Sequence, residues 1–227
     1  MRDITCAVLR ERPDPNNWSE YPNVWNEAQE NVYRCEWFLV YDIIERIWKH
    51  LKADDEANLP PAEEQKALRF EQALNDFFIE KGVGWQLVDG QVVIRGTESF
   101  EAAVKTAGAT LEEAGRPTAS RHIREALDAL SRRPEPNLPG AVYHAVGALE
   151  CVARDVTGDQ KATLGEILKK YPDLVPRPLD TALSQVWGYA SNVARHVQEG
   201  SEPEAEEAEL LVGVAATVAT YLTRKFR

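Results

Sequence analysis

Beyond Gly96 the apolar residues recur at three- and four-residue steps all the way to the C-terminus, interrupted only at joints that carry proline or glycine. That period belongs to helices with one buried face, so the second half of the chain is restricted to helix-on-helix packing. The clearest segment is 139–156, where Val142, Ala145, Leu149, Val152 and Val156 share a face and Gly158 supplies the stop. Segments 97–114 and 118–132 precede it, the first opened by Thr97 or Ser99 and the second by Thr118 or Ser120. The proline-rich "RRPEPNLPG" separates the second of these from 139–156. A short helix over 163–170, one over 179–189 and one over 203–223 follow. The last has glutamates in its first turns and Arg224 and Lys225 at its end, which complements the helix dipole. Its buried side is Ala208, Leu211, Val212, Ala215, Val218 and Leu222. The expected fold is mainly α: a bundle of four main helices over 97–227, preceded by a small α domain over 1–96 with one β-hairpin.

The hairpin is the one place where the period changes. Asp89-Gly90 lies between two short β-prone runs over 84–95, the pattern of a two-residue type I′ turn. Upstream, 21–51 is rich in aromatics and lacks proline and glycine after Pro22, which predicts a long helix. Trp37, Tyr41, Ile44 and Trp48 fall on one face of it, and core packing is their expected role. The charged connector 52–64 carries the pair Pro60-Pro61, and a second helix is expected over 62–81 with Leu68, Phe70, Leu74, Phe77 and Phe78 as its apolar set.

Composition narrows the function classes. The net charge of −11 opposes sequence-independent nucleic-acid binding over most of the surface. Five arginines and His122 between positions 116 and 133, set against Glu125 and Asp128, keep a local basic stretch. No run reaches the roughly 18–20 apolar residues of a membrane span, and the first fifteen residues lack the apolar core of a signal peptide. A cytoplasmic protein with no membrane partner is expected. Cys6, Cys35 and Cys151 are odd in number and far apart, as free thiols in a reducing compartment would be. The four histidines form no HExxH or Cys/His pattern in local sequence, so neither a metal nor a cofactor is expected.

Two further features bear on a site. On the helix over 139–156, Tyr143, Gly147, Glu150 and Arg154 are three or four apart; a solvated face with a Glu150–Arg154 pair is one reading and a dimer seam another. A glycine in mid-helix costs nearly 1 kcal/mol relative to alanine, so Gly147 points to a close approach by a neighbouring helix. In "WGYASNVARHVQEG", Gly188, Ser191 and Asn192 predict that the helix stops near Tyr189. Arg195 and His196 then fall on a turn or a new short helix, where either cationic side chains and backbone N–H groups suit an anion, or Arg195 caps helix-end carbonyls and His196 packs on Trp187.

Three segments together resemble the AbiJ-type branch of the HEPN proteins, prokaryotic helical domains tied to phage defence and toxin–antitoxin systems. These are "ALNDFFIEKGVGWQLVDGQVVIRG", "GAVYHAVGALECVARDVTGDQKATLGEIL" and "VWGYASNVARHVQEG", over roughly residues 70–225. The resemblance implies a HEPN-like bundle, commonly a homodimer, and a metal-independent endoribonuclease in which the RNA 2′-OH attacks its own phosphate. Arg195 would hold the phosphate charge, His196 would transfer the proton, and Glu150 would fix the Arg195 guanidinium. Asn192, Arg154 and Tyr189 complete the expected RNA-binding set. The family's second histidine lies five to seven positions beyond the arginine, where this chain has Gly200, Ser201 and Glu202. Either His196 itself transfers the proton, or the module is inactive and binds RNA or a partner protein of a defence or toxin–antitoxin system.

Overall fold

The computed structural model describes residues 1–18, 23–61, 64–194 and 202–227, and the chain divides into two units, Met1–Val93 and Ile94–Arg227. The described residues form ten helices and one two-stranded antiparallel hairpin, a mainly α fold.

In the first unit, α1 (Arg2–Leu9) packs on α2 (Asn23–Arg34) and α3 (Trp37–Asn58). Buried Asn31 of α2 donates to Thr5 Oγ1 at 3.1 Å and to Cys6 Sγ at 3.4 Å, which satisfies a polar group that could not otherwise be placed there. The single long helix expected over 21–51 is two helices. Glu36 is extended between them, although neither proline nor glycine marks the break. Helix α3 also runs farther than expected, to Asn58, with Leu59 left-handed beyond it. Its aromatic stripe is not a closed core: Ile43 is buried, Tyr41, Ile44 and Trp48 are half-buried and Trp37 is exposed.

Helix α4 (Lys66–Glu80) begins without a side-chain cap of its own. Asp55 of α3 supplies one, its buried carboxylate accepting from Lys66 N at 3.0 Å and Ala67 N at 2.9 Å. The buried face of α4 is set by Ala67 and Phe78, with Phe70 and Leu74 half-buried; Leu68 and Phe77, assigned to it by sequence, are exposed.

The hairpin pairs β1 (Trp85–Val88) with β2 (Gln91–Ile94). Asp89 and Gly90 both have positive φ, as a type I′ turn requires. Gly90 is needed for space as well, since a Cβ there would meet the Trp48 ring at 2.3 Å. Asn75 of α4 clasps β1 in both directions, donating to Leu87 O at 2.8 Å and accepting from Leu87 N at 2.7 Å.

In the second unit, α5 (Glu98–Glu113), α6 (Pro117–Leu130), α7 (Leu138–Thr157) and α10 (Ala205–Lys225) pack in a ring of neighbours; α8 (Leu164–Lys170) and α9 (Leu179–Ala194) lie against α7. Of the expected start signals Thr97 is a real cap, accepting from Phe100 N; Asn137, which accepts from Gly140 N, and Thr163, which forms a capping box with Glu166, are caps that the sequence reading did not name. Helix α6 instead starts at Pro117, one residue before the expected Thr118. Helix α7 packs against α6, α8, α9 and α10, which makes it the central helix. Helix α9 does not stop near Tyr189 but continues through Ala194. Burial of Ala190 and Val193 outweighs the roughly 1 kcal/mol helix cost of Gly188.

Candidate functional site

Glu150 lies on the inner side of α7 and is almost fully buried, not on a solvated face. Its Oε1 accepts from Leu164 N, the first residue of α8, at 3.2 Å, and its Oε2 from Arg154 Nη2 at 3.4 Å. Arg154 also donates from Nε to Ala162 O at 2.8 Å. The pair therefore fixes the 158–164 turn and the start of α8 to α7, and a buried carboxylate is held by donors on two sides. Of the four residues considered as one stripe, only Tyr143 is exposed; Gly147 and Glu150 point to neighbouring elements.

Tyr189 and Asn192 stand on the last two turns of α9. Tyr189 Oη donates to Glu207 Oε2 of α10 at 2.5 Å, and that bond, helped by burial, pushes the phenol up to about 12. The same bond, with a second from the Glu204 backbone N–H, holds the Glu207 carboxyl below its ordinary range. Tyr189 thus ties α9 to the first turn of α10. Asn192 is exposed. Arg195 and His196 lie outside the described residues. The structure brings Glu150 and Arg154 together and gives both a packing role.

Three of the five arginines of the basic stretch lie beside acids of the same unit. Arg116 Nε contacts Asp155 Oδ2 at 2.7 Å, Arg124 contacts Glu112 at 2.7 Å, and Arg121 approaches Glu125 at 3.8 Å. At the C-terminal end of α10, Lys225 donates to the carbonyls of Asp173 and Leu174, and Arg227 pairs with Glu113.

A second cluster did not emerge from sequence reasoning. His122 and Glu125 stand one turn apart on α6, and His144 faces them from α7. Nδ1 of His122 is 3.3 Å from Nδ1 of His144, and Glu125 Oε2 is 3.3 Å from the first and 3.1 Å from the second. Burial holds the His122 imidazole below the usual histidine range; the Glu125 carboxylate opposes this, and His144 and Arg121 reinforce it. The neutral ring, which has an available lone pair, is the favoured form. Gly147 of α7 makes room for that ring, because a Cβ there would sit 3.3 Å from His122 Cε1 and Nδ1. The close approach at Gly147 is thus an imidazole and not a helix backbone. A His-x-x-Glu pair on a predicted helix was the available local signal. What it lacked was His144, which only the α6–α7 packing brings within reach.

Among the described residues no helix is long and apolar enough to cross a membrane. Residues 1–110 match the family model described as AbiJ N-terminal domain 4. The N-terminal part of the chain is an AbiJ-like domain. The match takes in the hairpin and most of α5. No curated protein and no solved structure matches the chain.

Proposed function

We propose that this AbiJ-like protein acts in abortive-infection defence, its helical second unit serving as a HEPN-like endoribonuclease module. The observation that carries the reading is the match of residues 1–110 to an AbiJ N-terminal domain, which ends within α5, in a chain whose second unit is a four-helix ring of α5, α6, α7 and α10 with appended α8 and α9. In this reading Arg195 holds the charge that develops on the phosphate, and His196 moves the proton from the attacking 2′-OH toward the leaving 5′-oxygen. Asn192, exposed on the last turn of α9, lies three residues before Arg195 and contributes to RNA binding. Glu150 and Arg154 support the site by fixing α8 to α7, and Tyr189 by fixing α9 to α10. A homodimer with the two sites sharing a cleft is part of the proposal.

Total tRNA incubated with purified protein in EDTA tests it. Cleavage that is lost in Arg195→Ala and in His196→Ala supports the nuclease. Absence of cleavage, or cleavage unchanged in both variants, removes it.

A second reading, an inactive module that binds RNA or a partner protein, is favoured by one specific feature: Gly200, Ser201 and Glu202 occupy the positions of the expected second histidine. Arg195-dependent RNA binding without any product would select it, and turnover would eliminate it.

A further inference from the structure

We propose that His122, Glu125 and His144 form a zinc-type metal site that joins α6 to α7 and leaves a fourth coordination position open. Nδ1 of His122, Nδ1 of His144 and Oε2 of Glu125 make a near-equilateral triangle with edges of 3.3, 3.3 and 3.1 Å. Zinc binds histidine nitrogen and carboxylate oxygen at about 2.0–2.1 Å in tetrahedral geometry, which sets neighbouring ligand atoms about 3.3 Å apart. The triangle has that size without any rearrangement, so the separations of the three atoms match those along one face of a tetrahedron. Two nitrogens and one oxygen are also a donor set that zinc and the neighbouring transition metals take, whereas magnesium and calcium take oxygen.

The surroundings fit a held ligand set. Gly147 keeps the α7 surface low where the His122 ring lies, and the three atoms nearest to a Cβ there all belong to that ring. The Tyr143 ring stands edge-on to His144, with centroids 5.4 Å apart. Arg121 approaches the other carboxylate oxygen, Glu125 Oε1, at 3.8 Å, which leaves Oε2 turned to the histidines. The three side chains are 21%, 39% and 30% exposed in the order His122, Glu125, His144, so an ion can enter and its fourth position can take water or a ligand atom. Metal binding here is separate from the Arg195–His196 reading, and either can stand without the other.

Titration of the full chain with Zn²⁺ alone, followed by calorimetry, tests the site. One equivalent is expected to bind, with a melting temperature that rises with Zn²⁺ concentration. His122→Gln and His144→Gln should each weaken binding by at least about 100-fold, beyond the roughly 10–100-fold cost of losing an outer-shell partner. Glu125→Gln, which keeps the shape and removes the charge, should weaken it as well. His50→Gln should leave it unchanged. All four variants are first checked for wild-type helical circular dichroism. Co²⁺ in place of Zn²⁺ should give tetrahedral d–d bands without a thiolate charge-transfer band, which separates this site from Cys6, Cys35 and Cys151. No saturable binding, binding indifferent to His144→Gln, or a thiolate band would each overturn the proposal.

Discussion

At the scale of single residues, the informative side chains are those placed against their ordinary preference. Glu71 is half-buried on α4, and burial, with the Asp89 carboxylate adding to it, pushes its carboxyl above the usual range. A carboxyl raised on folding adds stability while it is protonated, below its unfolded value, and that contribution is lost as pH rises through the folded value. Glu71→Gln, neutral at every pH, is therefore expected to be more stable than wild type at pH 7 and to lose that advantage near pH 4, read by urea denaturation at both. Gly147 is a second such residue. Gly147→Ala gains up to about 1 kcal/mol of helix propensity while crowding the His122 ring. The metal-free variant should thus stay within about 1 kcal/mol of wild type, and its Zn²⁺ affinity should fall about 10-fold. A large loss of metal-free stability would show that the ring has no room to shift. Neither role was legible in sequence. Glu71 reads as an ordinary helical acid, and Gly147 announces an approach without saying by what.

At the scale of elements, most of what sequence supplied was local chemistry. Thr97, Asn137 and Thr163 cap helices, Gly158 ends α7, and Asp89-Gly90 turns the hairpin, each by an interaction within a few residues. The Thr97, Gly158 and Asp89-Gly90 signals were readable in advance for that reason. The departures come from partners distant in sequence. Helix α9 continues past Gly188 because Ala190 and Val193 are buried, and α4 is capped from α3 by Asp55 across the proline pair. Asp55→Ala leaves two N–H groups at the start of α4 without their acceptor, and the expected cost is about 2 kcal/mol, measured by chemical denaturation. A change within a few tenths of a kcal/mol would mean that water serves the helix end equally well. The candidate site divides the same way. Glu150–Arg154 is an i,i+4 pair and was legible as a pair, but its burial and its hold on Leu164 follow from how α8 packs. The histidine cluster required α6 to meet α7.

At the scale of the whole molecule, an AbiJ-like N-terminal domain that runs into α5 shares one acidic chain with a helical second unit. The chain carries a net charge of −11 and three of the five arginines of the second unit's basic stretch lie beside acids, which opposes broad electrostatic capture of RNA. Recognition in the proposed function therefore rests on a small locus around Arg195 and His196, and RNA binding should show a shallow salt dependence, corresponding to few phosphate contacts. A steep slope, with many released counterions, would contradict that. The chemistry proposed for the locus leaves a signature of its own. Attack by the 2′-OH forms its bond to phosphorus as the bond to the 5′-oxygen breaks, which leaves a 2′,3′-cyclic phosphate on one fragment and a 5′-OH on the other. The most direct measurement is the end-group chemistry of RNA cut by the full chain in EDTA. The account predicts cyclic-phosphate and 5′-OH ends from wild type and no cut RNA from Arg195→Ala; 3′-OH and 5′-phosphate ends, or equal cutting by the variant, would contradict it.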